Sequence, residues 1–185
     1  MRKLLNRELG RKSVEEYRKS HKPGIVIVLD NIRSHNNVGS VFRTADAFLT
    51  QKIYLCGITA KPPHRDIQKT ALGATESVEW SYYESTADAV KELKAEGYRI
   101  IAIEQAEGST ELQNFRPGKG EKYAIIFGHE VNGVDQEVLE LCDICLEIPQ
   151  FGTKHSFNIA VSAGIVLWEL NRHLTLNHSP GEGLS

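Results

Sequence analysis

Residues 25–29 read Ile-Val-Ile-Val-Leu, a run with no polar side chain on either face of an extended chain. Such a run predicts a strand buried on both sides, which is typical of a parallel sheet covered by helices. Similar apolar runs return at residues 53–56, 99–103, 123–127 and 144–148, and segments of helical composition separate them. Strands that alternate with helices predict an α/β fold, with a parallel sheet and helices on both faces.

The final predicted helix, residues 158–174, is apolar almost all round. A helix of that kind must be buried, either in the core or in a subunit interface. The other predicted helices are residues 4–17, 37–48 with Asn36 or Asn37 as the cap, 67–72, 85–97 and 135–142.

Length and composition are those of one globular domain. The chain has 185 residues, of which 41% are hydrophobic and 25% are charged. These values exclude a disordered or collagen-like chain, and no apolar run approaches the ~20 residues that cross a bilayer. Three cysteines form no disulfide framework, and the N-terminus lacks the apolar core of a signal peptide. We therefore expect a cytoplasmic protein without a membrane segment.

The formal net charge of −2 conceals two unlike parts. Residues 1–22 carry a net charge of +5, and the remainder of the chain carries −7. On a helix, the stripe of basic residues would comprise Lys3, Arg7, Arg11 and Arg18. Pro23-Gly24 would end that helix. A basic arm on an acidic body suggests an anionic partner such as nucleic acid, and an ordinary solvated helix is the alternative.

Three loops that follow predicted strands carry unusual side chains, and ligands of open α/β sheets bind at such loops. The first, residues 30–45, is rich in amides and includes Arg43, which can bind a phosphate or carboxylate. A capped helix with a surface arginine is the alternative. The second, residues 128–133, has glycines on both sides of a carboxylate. The third, residues 149–158, is polar and leads into the apolar helix.

Several common signatures are absent from the sequence. There is no G-x-G-x-x-G after a strand, no P-loop, no G-x-S-x-G and no H-E-x-x-H. Cys142-x-x-Cys145 is a single pair without nearby histidines, so packing cysteines are favoured over zinc or redox chemistry. No metal site is predicted.

Taken together and in order, the three loops resemble those of the SpoU/TrmH group of the SPOUT RNA methyltransferases. The matching segments are Asn37-x-Gly39-x-x-x-Arg43-Thr44-Ala45, Leu72-Gly73-Ala74, Ile126-Phe127-Gly128-x-Glu130-x-x-Gly133, Ile148-Pro149 and Ser156-Phe157-Asn158-x-Ala160-Val161-Ser162-Ala163-Gly164. The likeness extends over residues 26–174, nearly the whole chain after the basic arm.

The resemblance implies transfer of a methyl group from S-adenosyl-L-methionine to a ribose 2′-hydroxyl in RNA. It also implies a homodimer and a deep C-terminal trefoil knot over residues 124–172. The expected domains are a basic N-terminal helix at 1–22, the SPOUT methyltransferase domain at 23–174 and a flexible tail at 175–185. We expect a structured RNA as substrate, with tRNA ahead of rRNA.

The resemblance also assigns the site residues. The catalytic neighbourhood would comprise Arg43, Asn37, Glu130, Ser156 and Asn158, and the cofactor would contact Glu104, Gly128, Ile148 and Phe157. Arg7, Arg11 and Arg18 are the candidate RNA-binding residues of the arm. Two positions depart from the family pattern, because Gln150 stands where methionine is common and Phe157 where leucine is common.

A guanidinium stays protonated, so we expect Arg43 to hold an RNA phosphate and stabilise the developing alkoxide rather than act as a free base. Two other functions remain open at this point. One is a non-catalytic RNA-binding protein with the same fold, and the other is a methyltransferase that acts on a base or on protein.

Overall fold

Within the described residues, seven strands form one sheet in which every pairing is parallel. The strands are β1 (Ile25–Asp30), β2 (Lys52–Cys56), β3 (Glu79–Tyr83), β4 (Tyr98–Ile103), β5 (Thr110–Glu111), β6 (Lys122–Phe127) and β7 (Ile144–Glu147). Their order across the sheet is β3-β2-β1-β6-β4-β7-β5. The structure, a computed structural model, describes residues 1–176 apart from the side chains of residues 6, 175 and 176. Apart from residues 175 and 176, the tail predicted at 175–185 lies outside the described residues.

Helices cover both faces of this sheet, which confirms the predicted α/β architecture. In the described part of the chain they are α1 (Val14–Lys19), α2 (His35–Ala47), α3 (Arg65–Ala71), α4 (Ala74–Ser77), α5 (Thr86–Ala95), α6 (Gln136–Leu139) and α7 (Ile159–Leu176), with 3-10 turns at Asn6–Glu8 and Leu112–Asn114. Alternate residues of β1 point into two separate cores: Ile27 packs with α2, α3 and α7, and Val28 packs with α5 and α6. None of these helices is long and apolar enough to cross a membrane.

The single helix predicted over residues 4–17 is wrong. Gly10 adopts a φ of +56°, which ends the first turn, and Ser13 then caps α1 through a complete capping box with Glu16. The basic residues before and after Gly10 therefore do not form one helical stripe. Tyr17 at the end of the arm is 4% exposed, and its hydroxyl donates to the Thr50 carbonyl at 2.8 Å. This part of residues 1–22 belongs to the core of the domain.

One other expectation from the sequence, the cap of α2, needs correction. The cap of α2 is Ser34, whose hydroxyl accepts from the Asn37 amide, rather than Asn36 or Asn37. The final helix is buried along one side only, because Val161 is 50% and Trp168 63% exposed. The edge strand β3 was not predicted because half-exposed polar and aromatic residues replace the apolar run of a central strand.

Candidate functional site

The loops after β1 and β6 are joined by one carboxylate, that of Glu130. Its two oxygens accept from the backbone N–H groups of Arg33 and Ser34, both at 3.0 Å, and from the Asn37 side-chain amide at 3.1 Å. Because these donors lie where the chain enters α2, Glu130 fixes the start of that helix against the second loop. The first and second sequence motifs thus meet at the carboxyl edge of the sheet.

Asn37 extends this contact to the third motif. Its side-chain oxygen accepts from the Asn158 amide at 3.0 Å, and the Asn158 oxygen caps α7 by accepting from the backbone N–H of Ala160 at 2.9 Å. Asn37, Glu130 and Asn158 therefore form one hydrogen-bonded chain, although they lie up to 121 residues apart.

The surroundings of Glu130 argue against its use as a general base. Partial burial raises the pKa of this carboxyl, but the hydrogen bonds from Arg33, Ser34 and Asn37 outweigh burial and leave the pKa below its ordinary value. The carboxylate is therefore ionised at neutral pH, and both of its oxygens already accept hydrogen bonds. A low pKa makes it a weak proton acceptor, so its role is to position the loops.

A second polar cluster, around Asp30 and Asn31, supports the first loop. It was not predicted from the sequence. The carboxyl of Asp30 is fully buried, and it accepts from Thr86 and from the backbone N–H of Asp135. Burial raises the pKa of Asp30. Asn31 follows with a φ of +57° and accepts from the Ile58 amide at 3.1 Å. The polar pair at the end of β1 was visible in the sequence, but its partners Thr86, Asp135 and Ile58 lie 27 to 105 residues away.

The predicted cofactor residues follow three neighbouring strands. Gly128 follows β6, Glu104 follows β4 and Ile148 follows β7, and these strands are adjacent in the sheet in that order. Their carboxyl ends therefore place the three positions side by side. This arrangement is the one expected of a ligand site in a parallel sheet.

Glu104 ties this strand edge to the second loop. Its carboxylate accepts from the backbone N–H of Gln105 at 2.9 Å and from that of Val134 at 3.0 Å. The turn between them is tight, because a Cβ on Gly133 would come within 2.1 Å of the Glu104 carboxylate. A Cβ on Gly128 would meet the backbone of residues 133 and 134 at 2.2 Å. Close backbone approach therefore requires glycine at 128, and a φ of +71° favours glycine at 133.

Ile148 at the end of β7 and Phe157 in the third loop both offer apolar surface. Ile148 is half-buried against the core, and the Phe157 side chain is 41% exposed. The third loop is tied down by Gln105, whose amide donates to the His155 carbonyl at 2.7 Å. Gln105 was not singled out in the sequence, because a lone glutamine after a strand carries no motif.

Apart from the four cofactor positions, five predicted residues lie outside the hydrogen-bonded chain of Asn37, Glu130 and Asn158. The side chains of Arg43 and Ser156 are exposed, and neither forms a hydrogen bond or ion pair with a residue that the structure describes. Arg43 lies on α2, six residues and about 9 Å along the axis from Asn37. In the arm, Arg18 donates to the Glu76 carbonyl at 2.6 Å, whereas the side chains of Arg7 and Arg11 are exposed.

The cysteines are separate from this site. Burial raises the pKa of Cys142 to about 12 and also raises that of Cys145, so neither thiol is activated. Within residues 1–176, no group of three or more histidine, cysteine, aspartate or glutamate side chains is arranged to hold a metal ion.

The sequence and the fold were compared with those of known proteins. A sequence model of the SpoU rRNA Methylase family matches residues 24–168. The chain is 31% identical over 157 residues to the 23S rRNA (guanosine-2'-O-)-methyltransferase RlmB of Neisseria meningitidis serogroup B, which is 85% of this chain and 62% of that protein. It is 30% identical over 146 residues to a tRNA (guanosine(18)-2'-O)-methyltransferase of Borreliella burgdorferi, covering 79% of this chain and 65% of that one.

A solved structure gives the same likeness. The AdoMet bound rRNA methyltransferase from Sinorhizobium meliloti superposes with a TM-score of 0.77 at 28% identity, covering 85% of this chain and 60% of that chain. The chain thus spans slightly less than two thirds of the length of each of these three proteins.

Proposed function

Because the chain belongs to the SpoU rRNA Methylase family, we propose that it transfers a methyl group from S-adenosylmethionine to a ribose 2′-hydroxyl in RNA. The observation that carries this proposal is the chain of hydrogen bonds from Glu130 through Asn37 to Asn158. It joins three loops beside the strand ends of Glu104, Gly128 and Ile148. The relatives named above act on rRNA and on tRNA, so the proposed substrate is a structured RNA of either class.

The residues at the strand ends fit the proposed cofactor. S-adenosylmethionine would supply the methyl group from its positively charged sulfonium. Ile148 and Phe157 present apolar surface for an aromatic ring, and the loop backbone supplies polar groups beside them. Each oxygen of Glu104 accepts one backbone hydrogen bond and keeps capacity for a hydroxyl donor. Gln150 and Phe157 alter the side chains around this pocket relative to the family pattern.

Arg43 supplies positive charge for the reacting ribose. Its guanidinium is exposed and unpaired within the described residues, so it is available to an RNA phosphate or to the oxygen that loses its proton. Asn37 and Asn158 hold α2 and the third loop together and thereby orient the surface that receives the ribose. Ser156 precedes Asn158 on that surface and is free to donate to the substrate. Positioning two bound reactants in line contributes several kcal/mol to such a step.

Two structural proposals accompany the function. We infer a homodimer, because Trp168 and Val161 expose an apolar strip on α7 and Trp168 meets Phe48 edge to face at 6.5 Å. We also infer the trefoil knot of residues 124–172, for which the parallel insertion of β7 between β4 and β5 provides support. The cytoplasmic location and the division into segments 1–22, 23–174 and 175–185 stay predictions.

The basic arm joins the domain far from the site of its own chain. Tyr17 binds the Thr50 carbonyl at the amino edge of the sheet, about 20 Å or one strand length from the carboxyl edge that carries Asn37. RNA bound at both places would therefore lie across the α2 side of the domain. Removal of residues 1–20 would also take Tyr17 out of the core, so a clean deletion ends at residue 12.

Deletion of residues 1–12 is expected to weaken RNA binding and flatten its salt dependence, because it removes five basic side chains and one acidic one. Each lost phosphate contact lowers the slope of log K against log[salt] by about 0.7–0.9. The measurement is RNA affinity at several salt concentrations, with S-adenosylmethionine affinity as the internal control. An unchanged slope would show that Arg7 and Arg11 do not contact RNA.

Calorimetric titration with S-adenosylmethionine tests the proposed function against the non-catalytic alternative. An enzyme of this class must bind the cofactor, either alone or in the presence of RNA. A simple RNA-binding protein needs no cofactor. We expect saturable binding of one cofactor per chain. Absence of binding at millimolar S-adenosylmethionine, with and without RNA, would favour the non-catalytic protein.

A further inference from the structure

Two imidazole rings are stacked beside the first loop and are not used by the proposed reaction. The ring centroids of His35 and His64 lie 4.0 Å apart, and the ring planes differ by 23°. His35 directly follows Ser34, whose backbone N–H binds Glu130, and it lies two residues before Asn37. The stack therefore borders the residues that join the three motifs. His64 is exposed and His35 partly so.

The stack rests on a rigid support. Gly39 of α2 approaches α3 so closely that a Cβ would come within 2.2 Å of the Ile67 carbonyl. The Thr70 hydroxyl on α3 donates to the Asn36 carbonyl at 3.0 Å. His64 is itself the cap of α3, because its Nδ1 accepts from the backbone N–H of Asp66 at 3.2 Å. The two rings are thus held in place before any ligand arrives.

Basic residues lie close to the two histidines along the chain, although the body of the chain is acidic. Arg33 lies two residues before His35, and Arg65 follows His64 directly. Lys69 lies one helical turn after Arg65 on the exposed face of α3, and Lys61 lies over the Tyr82 ring at 3.9 Å. Asp66 is the one acidic residue of α3. Exposed planar rings between cations suit a nucleobase flanked by phosphates.

We propose that the His35–His64 stack is a platform for a base of the RNA substrate, next to the nucleotide that is methylated. The base stacks on the exposed ring of His64, and Arg33, Arg65 and Lys69 contact the adjoining phosphates. This inference rests on the proposed function, since it assigns a place for the RNA around the same site. It adds a contact with a flanking base that the three motifs do not supply.

The test separates the ring of His64 from its capping role. His64→Asn keeps a capping acceptor for α3 but removes the ring, and His64→Phe keeps a ring but loses the acceptor. The probe is total tRNA and rRNA from a strain that lacks the gene, with S-adenosylmethionine carrying a labelled methyl group. We expect His64→Asn to weaken RNA binding and raise the KM for RNA about tenfold, with kcat and cofactor affinity unchanged. His64→Phe should retain most of the RNA affinity.

Charge is examined with a matched pair of variants. Lys69→Gln should lower the salt slope of RNA binding, whereas Lys91→Gln on α5, paired with Asp88 on the other side of the sheet, should leave it unchanged. Wild-type RNA affinity in His64→Asn would overturn the platform while the methyltransferase proposal stands. If the wild-type protein transfers no methyl group and binds no cofactor, the proposed function is wrong, and the platform that rests on it is wrong as well. Loss of RNA affinity in His64→Phe alone, with wild-type affinity in His64→Asn, would assign His64 to capping and would likewise overturn the platform.

Discussion

Arg43→Ala is expected to lower the rate of methyl transfer by a factor of about 10² to 10³, the effect of losing one preorganised group that stabilises a developing oxyanion. A ribose hydroxyl is a weak nucleophile, and its oxygen gains negative charge as the methyl group arrives. The Arg43 guanidinium is the exposed cation of the first motif, and no described residue pairs with it. Among the described side chains of residues 1–176, none competes for its charge.

The measurement is the single-turnover rate at saturating RNA and cofactor, so that a change in binding is not mistaken for a change in chemistry. An exposed side chain without partners contributes little to folding. The melting temperature should therefore stay within about 1–2 °C of the wild-type value, as for other surface substitutions. Arg43→Lys keeps the charge but loses the planar fork, and we expect an intermediate rate. A wild-type rate in Arg43→Ala would remove Arg43 from the reaction.

Gly128→Ala is expected to reduce S-adenosylmethionine affinity by about tenfold to a hundredfold, equivalent to the 1–3 kcal/mol that over-packing costs. The added Cβ would lie 2.2 Å from the backbone of residues 133 and 134, which cannot move without shifting the turn. That turn holds the backbone N–H that Glu104 binds, and it carries Glu130. One methyl group therefore disturbs both the cofactor edge and the contact with α2.

Calorimetry of the cofactor complex measures this loss. Gly97→Ala is the matched control: Gly97 has a φ of +82° at the amino edge of the sheet, and its Cβ would meet no atom within 4 Å. The control carries backbone strain of about 1 kcal/mol but should bind the cofactor as the wild type does. Equal affinity of the Gly128→Ala protein and the wild type would show that the turn does not shape the cofactor site.

The sheet could be predicted from the sequence because its central strands are buried on both faces. Two central strands, Ile25–Asp30 and Lys122–Phe127, are buried along almost their whole length. Burial on both faces produces the apolar runs from which these strands were predicted. Glu79–Tyr83 lies at the sheet edge and Thr110–Glu111 is only two residues long, so neither has such a run. The basic arm was wrongly predicted as one helix over residues 4–17. Its composition favours a helix, but Gly10 has a positive φ that interrupts it.

The residues of the site could be predicted, but the partners of those residues could not. Asn37, Glu130 and Asn158 were each recognisable by motif, and the structure shows that they bond to one another. In the structure Glu130 holds the first and second loops together and Asn158 caps α7, while their predicted part in the reaction stays a prediction. The His35–His64 stack was not predicted, because contact between residues 29 positions apart has no local signal in a single sequence.

The most direct test of the central claim is the identity of the methylated nucleoside. The purified chain is incubated with methyl-labelled S-adenosylmethionine and with tRNA or rRNA from a strain that lacks the gene, and the RNA is digested and analysed by mass spectrometry. The proposed function predicts a labelled 2′-O-methylnucleoside, at a yield that falls in Arg43→Ala. A label found only on a base, or no label in either RNA class while the cofactor binds, would contradict it.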